Sequence, residues 1–235
     1  MNTGTTRTLA VALIGLAASL NQAAAAAAEA TPDNEIRVGM YAIFFSASAQ
    51  DISGPYTPAG LNGTVKNVQT PYFAYVRTLS EHFVLEMAFG DPPNTKIYGK
   101  GPAYLGSVPY AGQELASAKW AAPTLLLNYK FLDDTHALRP YIGVGINYVS
   151  FFDRQATAAA DAAFGGPTQI SLSRSLGPAA TAGLSYRLSS NWALYASYSY
   201  SRVRTDLSSD TAGVIRATHI SFQPESLVVS AGYSF

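Results

Sequence analysis

The chain has 235 residues, no cysteine, 15 basic and 15 acidic side chains, and a formal net charge of zero. The missing cysteine excludes disulfides and thiolate metal sites, and the balanced charge gives no electrostatic footprint for nucleic acid. Charged residues make up only 13 % and aromatics 12 %; that is about half the charge usual in soluble domains and suits a surface facing lipid and its interfaces.

The N-terminal segment carries one charged side chain, Arg7, before Glu29, and an apolar run over residues 9–20. A run of about 12 residues is too short for a spanning helix, which needs roughly 20. Residues 23–28 are all alanine and offer several A-x-A cleavage sites. Residues 1–28 are therefore expected to be a secretory signal and residues 29–235 the mature domain. No later segment is apolar for long enough to form a transmembrane helix.

After the signal the pattern has period two, the mark of strands. Strands are expected at about 35–45, 67–79, 82–90, 118–131, 139–152, 172–187, 191–204 and 221–235. In the third, Phe83, Leu85, Met87 and Phe89 alternate with His82, Val84, Glu86 and Ala88. In the seventh, Trp192, Leu194, Ala196, Tyr198 and Tyr200 take one face. In the eighth, Leu227, Val229, Ala231, Tyr233 and Phe235 alternate with Val228, Ser230, Gly232 and Ser234. The connections 78–81, 132–138 and 188–190 are short. Those at 46–66, 91–117, 153–171 and 205–220 are long and hold most of the Pro and Gly, and the alanine-rich 158–163 predicts a short helix within the third. Strict alternation of short and long connections predicts an all-β fold, an eight-stranded antiparallel transmembrane β-barrel with short periplasmic turns and long extracellular loops. An even strand count puts both ends in the periplasm. Tyr72, Trp120, Tyr141, Tyr148, Trp192 and Tyr233 fall near strand ends, where aromatic rings favour the membrane interface.

Residues 138–153 read LRPYIGVGINYVSFFD. This run resembles the fifth strand of the OmpW family of small outer-membrane proteins, with its R-P-Y-x-G-x-G-x-N-Y pattern. Pro123-Thr124 before the fourth strand and the closing Ser-Ala-Gly-Tyr-Ser-Phe at 230–235 resemble that family in the same order. Ala122 stands where the family often has a second proline, Trp120-Ala121 replaces more polar residues, and residues 46–66 have no counterpart. The resemblance implies a bacterial outer-membrane location and a barrel that binds or passes small hydrophobic molecules, with lateral release into the bilayer. It also implies that Tyr233 and Phe235 form the signal read by the barrel-assembly machinery. The fifth strand is expected to turn Ile142, Val144, Ile146 and Tyr148 to lipid, and Tyr141, Gly143, Gly145 and Asn147 inward, where glycines leave room in a narrow barrel.

The expected partners are thus the lipid bilayer, small hydrophobic molecules and the assembly machinery, with no cofactor. The lumen and ligand candidates are Arg77, Glu86, Asn128, Lys130, Tyr141, Asn147 and Arg187. Arg77 and Glu86 flank one short turn and are expected to pair as a plug, since eight strands leave an interior that side chains fill or one small ligand occupies. An enzyme is not expected: the only nucleophile pattern is His219-x-Ser221 with Glu225, and H-x-S arises easily by chance. His82 and His136 fall on separate turns, and no metal-ligand spacing is present. The alternative functional class is a surface adhesin or structural barrel, with loop tyrosines Tyr56, Tyr104 and Tyr110 available to a partner.

Overall fold

The computed structural model describes residues 33–105 and 108–235. The expected signal segment, 1–28, lies outside the described residues. In chain order the elements are β1 (Asn34–Ala49), β2 (Asn62–Val65), β3 (Val68–Thr78), β4 (Phe83–Gly90), β5 (Asn94–Lys100), β6 (Tyr104–Leu105), β7 (Val108–Pro109), β8 (Glu114–Ala121), β9 (Thr124–Lys130), β10 (Leu138–Ala156), a short helix (Ala158–Phe164), β11 (Thr168–Leu172), β12 (Ser175–Arg187), β13 (Trp192–Ser201), β14 (Val203–Thr211) and β15 (Val214–Ser234).

Eight of these strands form a closed antiparallel ring in the order β1-β3-β4-β9-β10-β12-β13-β15 and back to β1. Closure is made by the first and last strands. Glu35 lies opposite Ser234 and Ala49 opposite Ile220, and at the rim the Phe235 backbone N–H donates to the Asn34 carbonyl at 2.9 Å. A strand in hydrocarbon must have every backbone group paired, which a ring without edges achieves.

Side chains follow the alternation. Val38, Met40, Ile142, Val144, Leu194 and Val229 are exposed on the outside, while Arg37, Val76, Val84, Asn128, Tyr195 and Ser230 are buried inside. Trp192 and Tyr233 meet on the outer face at 5.1 Å, as expected of an interfacial girdle. Tyr72 and Tyr141 instead are buried in the lumen, because their positions fall on the inward set of β3 and β10. Trp120 also turns away from lipid, donating through its indole N–H to Thr95 Oγ1 at 2.8 Å.

The long connections are not irregular loops. A tilted strand needs only about 9–11 residues to cross, yet β10 has 19 and β15 has 21. The excess rises beyond the membrane as further paired strands: β10 with β8, β8 with β5, β5 with β2, and β15 with β14 in a hairpin. The last hairpin turns on Ala212 and Gly213, both with positive φ (49° and 87°), the backbone of a tight two-residue turn. The expected helix is present over Ala158–Phe164, with Thr157 Oγ1 accepting from Ala160 N at 3.2 Å.

Two glycines of β10 are fixed by close approach. A Cβ on Gly145 would lie 1.8 Å from the Leu125 backbone oxygen, and one on Gly143 would lie 1.8 Å from Asn128 Oδ1. Backbone cannot yield as a side chain can. Gly145→Ala is therefore expected to destabilise the barrel by about 1–3 kcal/mol, the usual cost of overpacking, and Gly143→Ala by less. Urea unfolding of both variants in liposomes checks this; equal midpoints for the two would contradict it.

Candidate functional site: a plugged lumen beneath an apolar chamber

The periplasmic half of the lumen is filled by a charged cluster centred on Arg37. In β1, Ile36, Val38 and Met40 point to lipid, so Glu35, Arg37, Gly39 and Tyr41 point inward. Arg37 Nη1 donates to Glu86 Oε2 at 2.9 Å, and Arg37 Nε donates to Glu35 Oε1. Glu86 also accepts from Tyr72 OH and Asn128 Nδ2, each at 2.8 Å. Glu35 Oε2 accepts from Tyr195 OH at 2.6 Å, and the Tyr195 ring carries the Arg37 guanidinium 3.6 Å from its centroid. Burying one cation between two carboxylates is tolerable only when the remaining donors and acceptors are met, and the two tyrosines and Asn128 meet most of them.

The expected residues divide on this frame. Glu86, Asn128, Lys130, Tyr141 and Asn147 face the lumen. Glu86 and Asn128 belong to the plug, and Lys130 Nζ stands 6.0 Å from the Tyr195 centroid. The expected pair of Arg77 with Glu86 does not form. The turn after β3 sets Val76, not Arg77, opposite Glu86, and a one-residue difference in register moves a side chain to the other face. Arg77 lies on the outward set at the periplasmic rim, bonded to Asp33 Oδ2 at 2.9 Å and Asn34 Oδ1 at 3.0 Å. Arg187 lies past the end of the lumen, where it donates to the carbonyls of Asp134 and Thr135 and holds a periplasmic turn. Glu35 and Arg37 were not among the candidates; the signal for them was an E-x-R pair on the inward set of an otherwise apolar strand.

Above the plug lies an apolar chamber of about 130 Å³. Its floor is Tyr41, whose ring meets Tyr72 edge to face at 4.9 Å and 87°. Ile43, Leu126, Val149, Val203, Ile220, Phe222 and Trp120 form much of its wall. Several of its polar groups are already bonded: Asn147 Nδ2 donates to Thr124 Oγ1 at 2.7 Å, Trp120 Nε1 to Thr95 Oγ1 at 2.8 Å, and Ser199 Oγ to Thr181 Oγ1 at 2.8 Å. Such a lining offers a guest contact area and few unmet hydrogen bonds. A dry cavity on the order of 150 Å³ accepts one benzene-sized ring.

Two seams flank the chamber. β1 pairs with β15 up to Ala49 but with β3 only up to Ile43 opposite Val68. β10 pairs with β12 only up to Val149 opposite Ser175, while its other edge continues along β8 to Ala156. Among the described residues no ladder joins the upper part of β1 to β2, or the upper part of β10 to β11. Phe45 and Val65 border the first seam, Phe151 and Leu172 the second, and all four line the chamber.

The H-x-S candidate does not assemble. His219 Nδ1 bonds Asp206 Oδ1 at 2.8 Å on the outer face of β15, and Ser221 is paired in register with Arg204. No Ser221–His219 or Glu225–His219 hydrogen bond is present. His82 Nδ1 contacts the Lys130 carbonyl at 3.0 Å and His136 pairs with Asp133 at 2.9 Å, and no metal-holding cluster occurs among the described residues.

A closed ring of eight amphipathic strands, lipid-facing outside and plugged within, defines a small β-barrel of the bacterial outer membrane. The family model for the OmpW family matches residues 32–235, and the chain belongs to that family. It is 26 % identical over 200 residues to outer membrane protein W of Vibrio cholerae, covering 85 % of this chain and 87 % of that one. It is 32 % identical over 119 residues to the dibenzothiophene metabolism operon protein PahQ of Pseudomonas aeruginosa, covering 50 % of this chain and 52 % of PahQ. The crystal structure of OprG from Pseudomonas aeruginosa shares the fold, with a TM-score of 0.77 at 24 % identity over 87 % of this chain and 96 % of that one.

Removing one carboxylate from the plug leaves Arg37 under-compensated. Glu86→Gln is expected to cost about 3 kcal/mol, the low end for breaking a buried pair. Arg77→Gln, at the rim, is expected to cost less than about 1 kcal/mol. Unfolding midpoints in liposomes separate the two; a larger loss for Arg77→Gln would place the plug wrongly.

Proposed function

We propose that the barrel takes small hydrophobic molecules from the extracellular side into the chamber and releases them sideways through the seams into the bilayer. The observation that carries this reading is the apolar chamber set between two strand edges that leave their ladders, with Phe45 N donating to the Asn67 side chain (3.2 Å) at the first, and above a closed charged cluster. The plug argues against passage straight through to the periplasm. Any guest small enough for the chamber would meet Tyr41 and Tyr72 below, and beneath them a buried Arg–Glu cluster whose disruption costs several kcal/mol. Backbone outside a ladder at membrane depth is tolerated where protein buries it, and the Phe45, Val65, Phe151 and Leu172 side chains flank these edges, so the seams are compatible with a lateral route. The relative PahQ takes its name from an operon for metabolism of dibenzothiophene, an apolar aromatic; a guest of that chemistry suits walls of Ile, Val, Phe and Trp. The outward Tyr233 and Phe235 at the end of β15 suit the assembly machinery reading the last strand, which must meet β1 to close the ring.

The chain has two tryptophans, Trp120 in the chamber wall and Trp192 on the outer face. In Trp192→Phe, Trp120 becomes the sole reporter. Bromobenzene added to liposomes carrying this variant is expected to quench Trp120 saturably. Adding Ala179→Phe, which fills the chamber from β12, is expected to weaken the apparent affinity at least about tenfold, a step of 1.4 kcal/mol. Quenching that rises linearly with bromobenzene, unaffected by Ala179→Phe, would contradict the reading.

A further inference from the structure

The extracellular cap buries a charge that the chamber walls do not need. The inward set of β15 climbs from Ile220 in the chamber through Thr218 to Arg216. At about 3.3 Å per residue, Arg216 stands roughly 13 Å further along the strand than Ile220. It is only 6 % exposed. Its Nη1 is buried without a hydrogen-bond partner, and no ion pair reaches it from the described residues. Its guanidinium carbon lies 5.1 Å from the centroid of the Phe164 ring, and Gly54 packs against the base of its side chain. Arg37, the other deeply buried arginine, has two carboxylates. Arg216 has none among the described residues, and three acids of the cap bond backbone amides instead. Asp161 Oδ1 accepts from Thr168 N at 2.9 Å, Asp210 Oδ1 from Gly213 N at 2.8 Å, and Asp51 Oδ2 from Gly60 N at 2.9 Å.

Phe164 also packs on the cluster of Leu61, Tyr110, Leu115 and Ala160. There Tyr110 is 1 % exposed, and its hydroxyl, too, is buried without a partner. Burial pushes this phenol up to about 12, so the hydroxyl keeps its proton and is a donor. Two unmet donors, one cationic, thus adjoin one apolar cluster. A buried guanidinium without an acceptor is costly, and a cation–π contact offsets only part of that cost. An unmet buried charge in a native fold calls for a partner, and the chemistry missing is that of an anion with an apolar body.

We propose that Arg216 receives the carboxylate of an amphipathic guest whose apolar part extends toward the chamber, with Tyr110 as a second donor. The span from Arg216 to Ile220 suits a medium-length alkyl chain, as in decanoate. This rests on the reading that the chamber binds apolar molecules.

The test uses the full barrel carrying Trp192→Phe in phosphatidylcholine liposomes at pH 8, with bromobenzene quenching Trp120. Decanoate and decanol compete with the quencher; they share the tail and differ in charge. Decanoate is expected to displace bromobenzene at free concentrations about tenfold or more below those of decanol, or 1.4 kcal/mol. Arg216→Gln is expected to abolish that preference, Arg216→Lys to retain most of it, and Tyr110→Phe to reduce it. Bromobenzene quenching that persists in Arg216→Gln shows that the chamber is intact. Equal displacement by decanoate and decanol in the parent protein, or a preference that survives Arg216→Gln, would overturn the proposal while leaving the chamber reading in place. Absence of saturable bromobenzene quenching would overturn both.

Discussion

The structure depends on one constraint, that backbone facing hydrocarbon be paired, which the eight-strand ring meets and which is relaxed only at the two seams beside the chamber. β1 answers it by pairing on both sides, with β3 and with β15, so that the first and last strands of the ring meet at Asn34 and Phe235. Closing only eight strands makes the lumen narrow. Narrowness then decides what the inward residues must be: glycines where β10 approaches β9, and larger groups only where they have partners. The hydrophobic effect, which holds soluble domains together by burying an apolar core, here works outward against lipid, and polar contacts can fill the interior.

That interior has two parts with opposite chemistry. Below, Arg37 is the centre of a cluster whose members come from β1, β4, β9, β3 and β13, so the cluster ties together strands distant in sequence. Above, polar atoms pair among themselves and leave an apolar wall. Tyr72 joins the two parts, its hydroxyl on Glu86 and its ring against Tyr41. A movement of Glu86 therefore reaches the chamber floor through a single side chain. The seams lie at the height where the ring gives way to separate sheets, so the apolar wall meets unpaired edges without breaking the closed ring beneath.

The membrane part was legible in the sequence because lipid on one side and a crowded lumen on the other impose a clean period of two. The period-two faces followed from residues such as Phe83–Phe89 and Leu227–Phe235, and the helix from its alanines, but the expected 118–131 breaks into β8 and β9 and the expected 191–204 into β13 and β14. The extracellular hairpins were not legible. In β14, Arg204, Asp206 and Asp210 face outward, and Thr205, Ser209 and Thr211 are buried inward, so both faces are polar and the alternation disappears where water replaces lipid. The partner of Glu86 was missed for a different reason. Arg77 and Glu86 are near in sequence, but register puts them on opposite faces, while Arg37 reaches Glu86 from a strand 49 residues away. The chamber and seams depend on where ladders end, which the order of residues along one strand does not state.

A guest held between a closed plug and two lateral seams would be visible crystallographically. In a crystal of the barrel soaked with a bromine-labelled aromatic, the anomalous signal is expected inside the chamber, among Trp120, Val149 and Ile220 and above Tyr41. Bromine confined to the lipid-facing surface, or lodged below Tyr72 within the Arg37 cluster, would contradict it.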